Sequence, residues 1–251
     1  RTGQPSEEAG LFWVFESASR LVLACDSIGG IGPKPADSVS VDARTVAHFG
    51  VRVPLLEVLC SGARPIALVN ALCVERDPTG QEMIDEIEIL AAQAGIPADA
   101  VTGSTEENAP TSATGLGITV IGALSQDLPK AQPGDVVICA GLPIAAPDFT
   151  LYIGHPDQVT VAEVRRILES GLVHDALPAG SHGVGFETDE MARIAGLQAR
   201  WTGGRIVDPK RSAGPASCVL FACAPEAVDE VVHLLDDGRP VHPVARLTPP
   251  D

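Results

Sequence analysis

A carboxylate and a lysine flank a glycine-rich turn near the start of the sequence. The apolar run 20–25 predicts a strand, and Asp26 follows it directly. The next stretch contains three glycines and a lysine: Gly29, Gly30, Gly32 and Lys34. Glycines let main-chain N–H groups approach an anion closely, and a lysine supplies positive charge to phosphate. These residues predict a phosphate site with Asp26 as a metal ligand, and the alternative is an ordinary tight turn with a solvated lysine.

This turn matches neither of the two common phosphate-binding fingerprints. The pattern GxxxxGK[ST] requires adjacent Gly and Lys, but Pro33 separates Gly32 from Lys34. The pattern GxGxxG requires a glycine where Pro35 stands. The prediction therefore depends on residue types and on their place after a strand.

A second polar segment, residues 102–108, lies between a helical pattern and an apolar strand pattern, where about two to six residues would suffice for the connection. Carboxylates are hard oxygen ligands for Mg²⁺, and hydroxyl and amide groups can orient them or bind phosphate oxygens. The segment supplies both kinds of group: Ser104, Thr105, Glu106, Glu107 and Asn108. We expect Glu106 or Glu107 to be a metal ligand, and the alternative is a solvated loop.

Glu57 is a carboxylate inside an otherwise apolar helical segment. It follows Leu56 by one residue and Val53 by four, which places it slightly off the apolar stripe. Its side chain either points outward or carries a carboxylate into a site, and the segment alone leaves both possibilities open.

A glycine-rich segment in the second half, residues 179–183, reads Ala-Gly-Ser-His-Gly. It differs from the hydrolase motif GxSxG in having Ala179 at the first glycine, and Pro178 ends a poor strand before it. A serine hydrolase with Ser181 as nucleophile is therefore disfavoured. A loop near a ligand is the preferred interpretation.

The pattern of apolar residues predicts alternating strands and helices with few regular βαβ repeats, which favours an α+β fold with mixed sheets. Strands are expected at 11–15, 20–25, 66–74, 117–124, 135–141, 218–223 and 240–247. Helices are expected at 42–60, with a kink or break at Gly50 or Pro54, after capping boxes at Thr79 and Thr160, at 188–195, and from Pro225. Composition changes at 125–134, which predicts domains 1–126 and 127–251.

Net charge and composition restrict the partners of the chain. Its formal charge of −16 excludes nucleic acid as an expected partner, because no basic patch is present. No run approaches the roughly 18–20 apolar residues of a membrane span, and residues 1–10 are not a signal peptide. We expect a cytoplasmic protein with no membrane partner. The six cysteines form no CxxC pair, which predicts buried, reduced thiols.

The order of five segments resembles the aminoimidazole ribonucleotide (AIR) synthase superfamily, which includes thiamine-monophosphate kinase, selenophosphate synthetase and a hydrogenase-maturation dehydratase. Residues 26–34 resemble its Asp-Gly-Val-Gly-Thr-Lys stretch, and 59–65 its Gly-Ala-x-Pro turn. Residues 102–105 occupy the place of Gly-Gly-Asp-Thr. Residues 132–138 resemble the Pro-Gly-Asp strand and 212–216 the Ser-Gly-Gly-Pro turn. The resemblance covers nearly the whole chain and implies two α+β domains, of which the N-terminal ones pair into a homodimer.

Two positions depart from the family pattern. The family has an Asn-Asp pair where this chain reads Pro54-Leu-Leu-Glu57, and Ser104 replaces the Asp of Gly-Gly-Asp-Thr. Three segments, 52–57, 103–108 and 178–183, are similar to the short α-ribazole kinase branch, which implies phosphorylation of the 5′-hydroxyl of α-ribazole for cobamide assembly. The alternatives are a kinase for another metabolite such as thiamine monophosphate, or a non-catalytic ATP-binding protein.

The resemblance implies ATP and Mg²⁺ as cofactors and a small molecule as substrate. Asp26, Glu57 and Glu106 are expected to hold the metal, and Asp26, Lys34 and Glu57 to act in catalysis. The nucleotide is expected to contact Gly29, Gly30, Gly32, Lys34, Ser104, Thr105 and Asn108. The acceptor is expected to contact Ser181, His182 and Gly183.

Overall fold

The computed structural model describes residues 20–125, 128–202, 206–236 and 238–250. Two compact units are formed. The first contains the described residues up to Val58 and from Ala63 to 125, and the second contains Leu59–Gly62 and the described residues from 128 onward. The strand expected at 11–15 and the boundary expected at 126/127 lie outside the described residues.

A four-stranded sheet with strand order β1-β6-β4-β5 forms the first unit. Its strands are β1 (Arg20–Gly29), β4 (Arg64–Leu72), β5 (Val101–Thr105) and β6 (Gly115–Leu124). Strand β6 runs antiparallel to both β1 and β4, and β5 is parallel to β4. Two short strands, β2 (Ile31–Gly32) and β3 (Val39–Ser40), pair in parallel within the glycine-rich turn.

Two helices, α1 (Ala43–Cys60) and α2 (Gln81–Gln93), belong to the same unit. Helix α1 continues through Pro54, so the expected break does not occur. At Gly50, an added Cβ would lie 2.6 Å from Leu116 and 3.2 Å from Ile28, because α1 packs closely on the sheet. Buried Glu86 of α2 accepts hydrogen bonds from Arg44 at 2.5 Å and contacts His48 at 2.8 Å, which joins the two helices.

The second unit is a five-stranded antiparallel sheet with order β8-β10-β7-β11-β9. Its strands are β7 (Val136–Ala140), β8 (Val173–Pro178), β9 (Gln198–Trp201), β10 (Val219–Cys223) and β11 (Val241–Thr248), and its helices are α3 (Val161–Glu169), α4 (Gly183–Ala195) and α5 (Val228–His233). Helix α4 begins five residues earlier than expected and ends at Gly196, which has a φ of 73°. The predicted α+β class with a mixed sheet is confirmed.

One of the two expected capping boxes forms. Thr160 accepts from the Glu163 N–H at 3.2 Å, and Glu163 accepts from the Thr160 N–H at 2.7 Å, which fixes the start of α3. The box expected at Thr79 is wrong. A helical turn at Arg76–Gly80 precedes α2, and the Thr79 hydroxyl donates to the Glu75 carboxylate instead.

Two further properties concern the whole described chain. All six cysteines are free, and four are buried. The expectation of buried thiols is wrong for Cys25 and Cys73, which are exposed. Cys25 shares the open face of the first sheet with Leu21 and Leu23, while α1 covers the other face.

Among the described residues, no helix combines the length and apolarity that crossing a bilayer requires.

The capping box of α3 supports a stability prediction. We expect Thr160→Ala to lower the free energy of unfolding by about 1 kcal/mol, because it leaves a first-turn N–H without its acceptor. Urea denaturation should measure the change, with the exposed Thr150→Ala as the control. Equal midpoints for both variants would contradict this account of the helix start.

Candidate functional site

The carboxyl ends of three strands lie at the same end of the first sheet. Since β6 is antiparallel to both β1 and β4, β1 and β4 run in one direction, and β5 runs parallel to β4. The segments that leave their carboxyl ends are the glycine-rich turn after Gly29, the turn from Glu75 to Gly80, and the loop 106–108. The fold therefore gathers most of the polar groups of the predicted nucleotide site at one end of the sheet.

Asp26 and Glu57 form a pair of neighbouring carboxylates. Asp26 lies on β1, opposite Ile118, and Glu57 lies in the last turn of α1. Desolvation and then the negative charge of Asp26 raise the pKa of Glu57, although the residue as a whole is exposed. Asp26 accepts from the Ser27 N–H at 2.8 Å. Among the described residues no cation is bonded to either carboxylate, so their repulsion is not offset within this part of the chain.

The third expected metal ligand is not close to this pair. Glu106 follows β5, which is at the opposite edge of the sheet from β1. Its carboxylate accepts from the N–H groups of Asn108 at 2.7 Å and Ala109 at 3.2 Å. Within the described residues, no three His, Cys, Asp or Glu side chains are arranged to hold a metal. The expected cluster of three carboxylates is therefore not assembled, and the reason is the strand order.

Two carboxylates still fit a magnesium ion that arrives with a nucleotide. Mg²⁺ prefers oxygen ligands, keeps several waters, and is commonly bound by one or two carboxylates together with substrate phosphates. The repulsion between Asp26 and Glu57 would be relieved by a divalent cation. The pair is thus the part of the described chain that best fits Mg²⁺.

Lys34 forms an ion pair at the carboxyl end of the sheet. Its ammonium group donates to Glu75, which follows β4. Thr79 donates its hydroxyl hydrogen to the other oxygen of Glu75 at 2.6 Å. These hydrogen bonds from Lys34 and Thr79 lower the pKa of Glu75 to about 2. Asp26 lies three residues, or about 10 Å, before the end of β1, so Lys34 and Asp26 belong to two separate clusters.

The glycine-rich turn is held against the start of β6 by one carboxylate. Asp37 accepts from the Thr114 N–H and from the Thr114 hydroxyl, both at 2.7 Å, and from the Lys34 N–H at 2.8 Å. The Gly30 N–H donates to the Thr114 carbonyl at 2.9 Å. These bonds fix the main chain of the turn. The Lys34 side chain is oriented separately, by its contact with Glu75.

Gly32 makes the closest approach in this turn. Its φ is 155°, and an added Cβ would lie 2.3 Å from the Thr114 hydroxyl and 2.9 Å from Asp37. At Gly29, by contrast, nothing lies within 4 Å of an added Cβ. The close packing explains why a glycine is required at position 32.

The loop after β5 is joined to the turn after β4. Glu107 accepts from the Arg76 N–H at 2.8 Å and from the Thr105 hydroxyl at 3.0 Å. An open cleft of about 200 Å³ lies along β5, and its lining includes Ser104, Thr105 and Arg76. The structure thus brings Ser104 and Thr105 to a cleft that a basic residue, Arg76, and an acidic residue, Glu88, also line.

The residues expected to contact the acceptor belong to the second unit. Ser181 and His182 are exposed before α4, and the His182 ring contacts the ring of exposed Phe186 in a tilted arrangement, with centroids 4.8 Å apart and an interplanar angle of 38°. Gly183 is buried with a φ of 85°, and its Cβ position lies 2.7 Å from the carbonyl oxygens of Pro209 and Arg211.

Sequence reasoning missed Glu75, Thr79 and Asp37 as parts of this site. Glu75 follows an apolar strand, which is the same signal that predicts a site at Asp26. The spacing of Thr79 and Glu82 predicts a helix cap, which conceals the contact of Thr79 with Glu75. No local pattern distinguishes Asp37, because its partner Thr114 is distant in sequence.

Residues 6–124 match the sequence model of the AIR synthase related protein, N-terminal domain. This match covers slightly less than half of the chain and includes Asp26, Lys34, Glu57 and the 102–108 segment. Comparison with curated proteins gives no significant match.

Solved structures with the same fold extend this similarity to the whole chain. Thiamine-monophosphate kinase from Stenotrophomonas maltophilia K279a is 17% identical, with a TM-score of 0.63 over 98% of this chain and 90% of that one. The hydrogenase maturation protein HypE in complex with ATP is 14% identical, with a TM-score of 0.64 over 94% and 79%. T. maritima PurL complexed with AMPPCP is 17% identical, with a TM-score of 0.61 over 91% and 40%. The chain therefore has the AIR synthase-like α+β fold.

The close packing at Gly32 supports a prediction about the turn. We expect Gly32→Ala to destabilise the protein by about 1–3 kcal/mol, because the new methyl group would overlap Thr114 and the φ of 155° disfavours alanine. Urea denaturation should show the loss, while the matched Gly29→Ala should remain near wild type. A Gly32→Ala variant as stable as Gly29→Ala would show that the turn is not packed as described.

Proposed function

We propose that this chain is an ATP-dependent phosphotransferase of the AIR synthase-related superfamily. The observation that carries the proposal is the Asp26–Glu57 pair, two neighbouring carboxylates to which the described residues bond no cation, in the fold shared with HypE in complex with ATP. Phosphoryl transfer requires mainly positioning and charge neutralisation, so no dedicated strong base is needed. The proposal requires a compartment with ATP and Mg²⁺, and the cytoplasm meets this requirement.

Each cluster has a separate task in this proposal. Asp26 and Glu57 would hold Mg²⁺, which supplies charge neutralisation for the polyphosphate when bound. Lys34 and the N–H groups of Gly29 and Gly32 would contact phosphate oxygens at the strand ends, whereas the Gly30 N–H is already used by the Thr114 carbonyl. Ser104 and Thr105 line the cleft of the same unit and would contact the nucleotide there. Asn108, in the loop that follows β5, would contact the nucleotide as well.

Glu106 has no part in this arrangement of the metal. Its carboxylate is used by two N–H groups of its own loop, and Glu107 is used by Arg76 and Thr105. Both side chains shape the 105–109 loop. The role proposed for the loop is therefore to present Ser104 and Thr105 to the nucleotide.

The proposed acceptor is α-ribazole, and its hydroxyl would be phosphorylated. Ser181, His182 and Gly183 belong to the segment that is similar to α-ribazole kinases. The exposed ring pair of His182 and Phe186 supports an acceptor that carries an aromatic base, because ring faces stack favourably. Thiamine monophosphate is the second candidate, on the strength of the structural similarity to thiamine-monophosphate kinase.

A comparison of acceptors tests the proposed reaction. We expect ADP release from Mg-ATP to be at least tenfold faster with α-ribazole than with thiamine monophosphate. Asp26→Asn should lower this turnover by about two orders of magnitude or more without lowering the melting temperature, because it removes one of the two metal-binding carboxylates.

The controls of this experiment separate the alternatives. Asp85→Asn neutralises an exposed carboxylate of α2 in the same unit and should leave turnover unchanged. Faster turnover with thiamine monophosphate would favour the second candidate. ATP binding with no ADP release for either acceptor would favour a non-catalytic nucleotide-binding protein, and turnover by Asp26→Asn at the wild-type rate would refute the metal assignment.

We also propose that the first unit pairs with a second copy of the chain. The face of its sheet opposite α1 leaves Leu21 55% exposed and Leu23 64% exposed on β1. Val69 is 36% exposed on β4, which β6 separates from β1. Exposed apolar side chains on a sheet face favour association.

Light scattering on the purified protein tests this pairing. The wild type should have the mass of a dimer, and Leu23→Glu should be monomeric because it places a charge in the apolar contact. The matched control is Ile89→Glu, which changes a 45% exposed residue on α2. A monomeric wild type, or a Leu23→Glu protein that remains dimeric, would contradict the pairing through this face.

A further inference from the structure

Lys34 and Glu75 connect two segments that are far apart in sequence. Lys34 belongs to the turn after β1, and Glu75 lies just beyond β4, 41 residues later. The Lys34 side chain is 15% exposed and that of Glu75 is 34% exposed. The ion pair is thus partly shielded from water, which strengthens it relative to a fully exposed pair.

The carboxylate of Glu75 is held in place from its other side. Thr79 is 7% exposed and donates its hydroxyl hydrogen to Glu75 at 2.6 Å. The Gly80 N–H donates to the Glu75 carbonyl at 2.9 Å, which closes the turn around the residue. Both carboxylate oxygens are therefore occupied, and Glu75 is a fixed anchor for the lysine.

Lys34 is held at both ends as a result. Its N–H donates to Asp37, which is bonded to Thr114, and its ammonium group donates to Glu75. An ammonium group has three N–H donors. Within the described residues only Glu75 accepts from the Lys34 ammonium group, so two donors remain for a ligand.

We propose that Glu75, fixed by Thr79, is a positioning residue that holds the Lys34 ammonium group where it contacts the polyphosphate of a nucleotide. This inference rests on the proposed function. A lysine side chain has considerable rotational freedom, and a fixed partner removes that freedom before the ligand binds. The ammonium group lies between the carboxylate and the phosphate, which limits the repulsion between these two anions.

A purely structural ion pair is the competing explanation. It would tie the turn after β1 to the turn after β4, and breaking it from either side, by Lys34→Ala or by Glu75→Gln, would lower the melting temperature. A double-mutant cycle on the Kd shows whether Glu75 acts through Lys34, and the melting temperatures of the same variants show whether a change in Kd merely follows a loss of stability.

The experiment measures binding of Mg-ATP to the full chain by titration calorimetry. We expect Lys34→Ala to raise the Kd at least tenfold and Glu75→Gln to raise it about five- to tenfold, as for lost hydrogen bonds to charged groups. The double variant should bind no more weakly than Lys34→Ala alone. Asp85→Asn serves as the control that also neutralises a carboxylate in the first unit, and its Kd should not change.

Variants of Thr79 keep the test valid if Glu75→Gln folds poorly. Thr79→Val removes the hydroxyl at nearly constant volume and should raise the Kd in the same direction as Glu75→Gln. Thr79→Ser retains the hydroxyl and should restore wild-type binding. Equal Kd values for the Val and Ser variants would overturn the role of Thr79.

Failure of the inference differs from failure of the proposed function. Suppose that the wild type binds Mg-ATP and that Lys34→Ala weakens this binding. Additive effects on the Kd in the double variant would then overturn the role of Glu75, and so would unchanged or tighter binding by Glu75→Gln. Unchanged binding by Lys34→Ala would overturn the role of Lys34 itself and with it that of Glu75. Absence of Mg-ATP binding by the wild type would overturn the proposed function as well.

Discussion

The common direction of β1, β4 and β5 determines what the first unit can do. Antiparallel β6 lies between β1 and β4, so these two strands run in the same direction, and β5 runs parallel to β4. The carboxyl ends of all three therefore lie at one end of the sheet. Residues from three distant segments meet there, and they include Lys34 and Glu75. The polar groups need no long connections, because each follows its strand within a few residues. This arrangement agrees with the general tendency of ligands to bind beyond the carboxyl ends of parallel strands.

Electrostatics imposes a second condition on this acidic protein. A chain of formal charge −16 repels a nucleotide polyphosphate unless cations are supplied locally. Lys34 is one such cation, although Glu75 already offsets part of its charge. Desolvation, and then the negative charge of Asp26, raise the pKa of Glu57, so part of this rise reflects repulsion between the two carboxylates. A divalent ion between them would relieve this repulsion and attract phosphate, so metal and nucleotide are expected to bind together.

The sequence predicted local features better than distant contacts. The α+β class, the start of α3 at Thr160 and the continuation of a helix to position 60 follow from periodicity and capping residues, which are local signals. The bond between Lys34 and Glu75 depends on strand order, which periodicity does not determine. Thr79 matched a capping pattern, but an adjacent carboxylate and an extra helical turn took its hydroxyl. Strand order likewise separates Glu106 from Asp26, and no local pattern could have shown that.

A crystal structure of the full chain with Mg²⁺ and a non-hydrolysable ATP analogue tests the central claim most directly. The account predicts a magnesium ion within about 2.1 Å of carboxylate oxygens of both Asp26 and Glu57, with phosphate oxygens completing its coordination. A bound nucleotide whose metal is held by other residues, with Asp26 and Glu57 facing solvent, would contradict it.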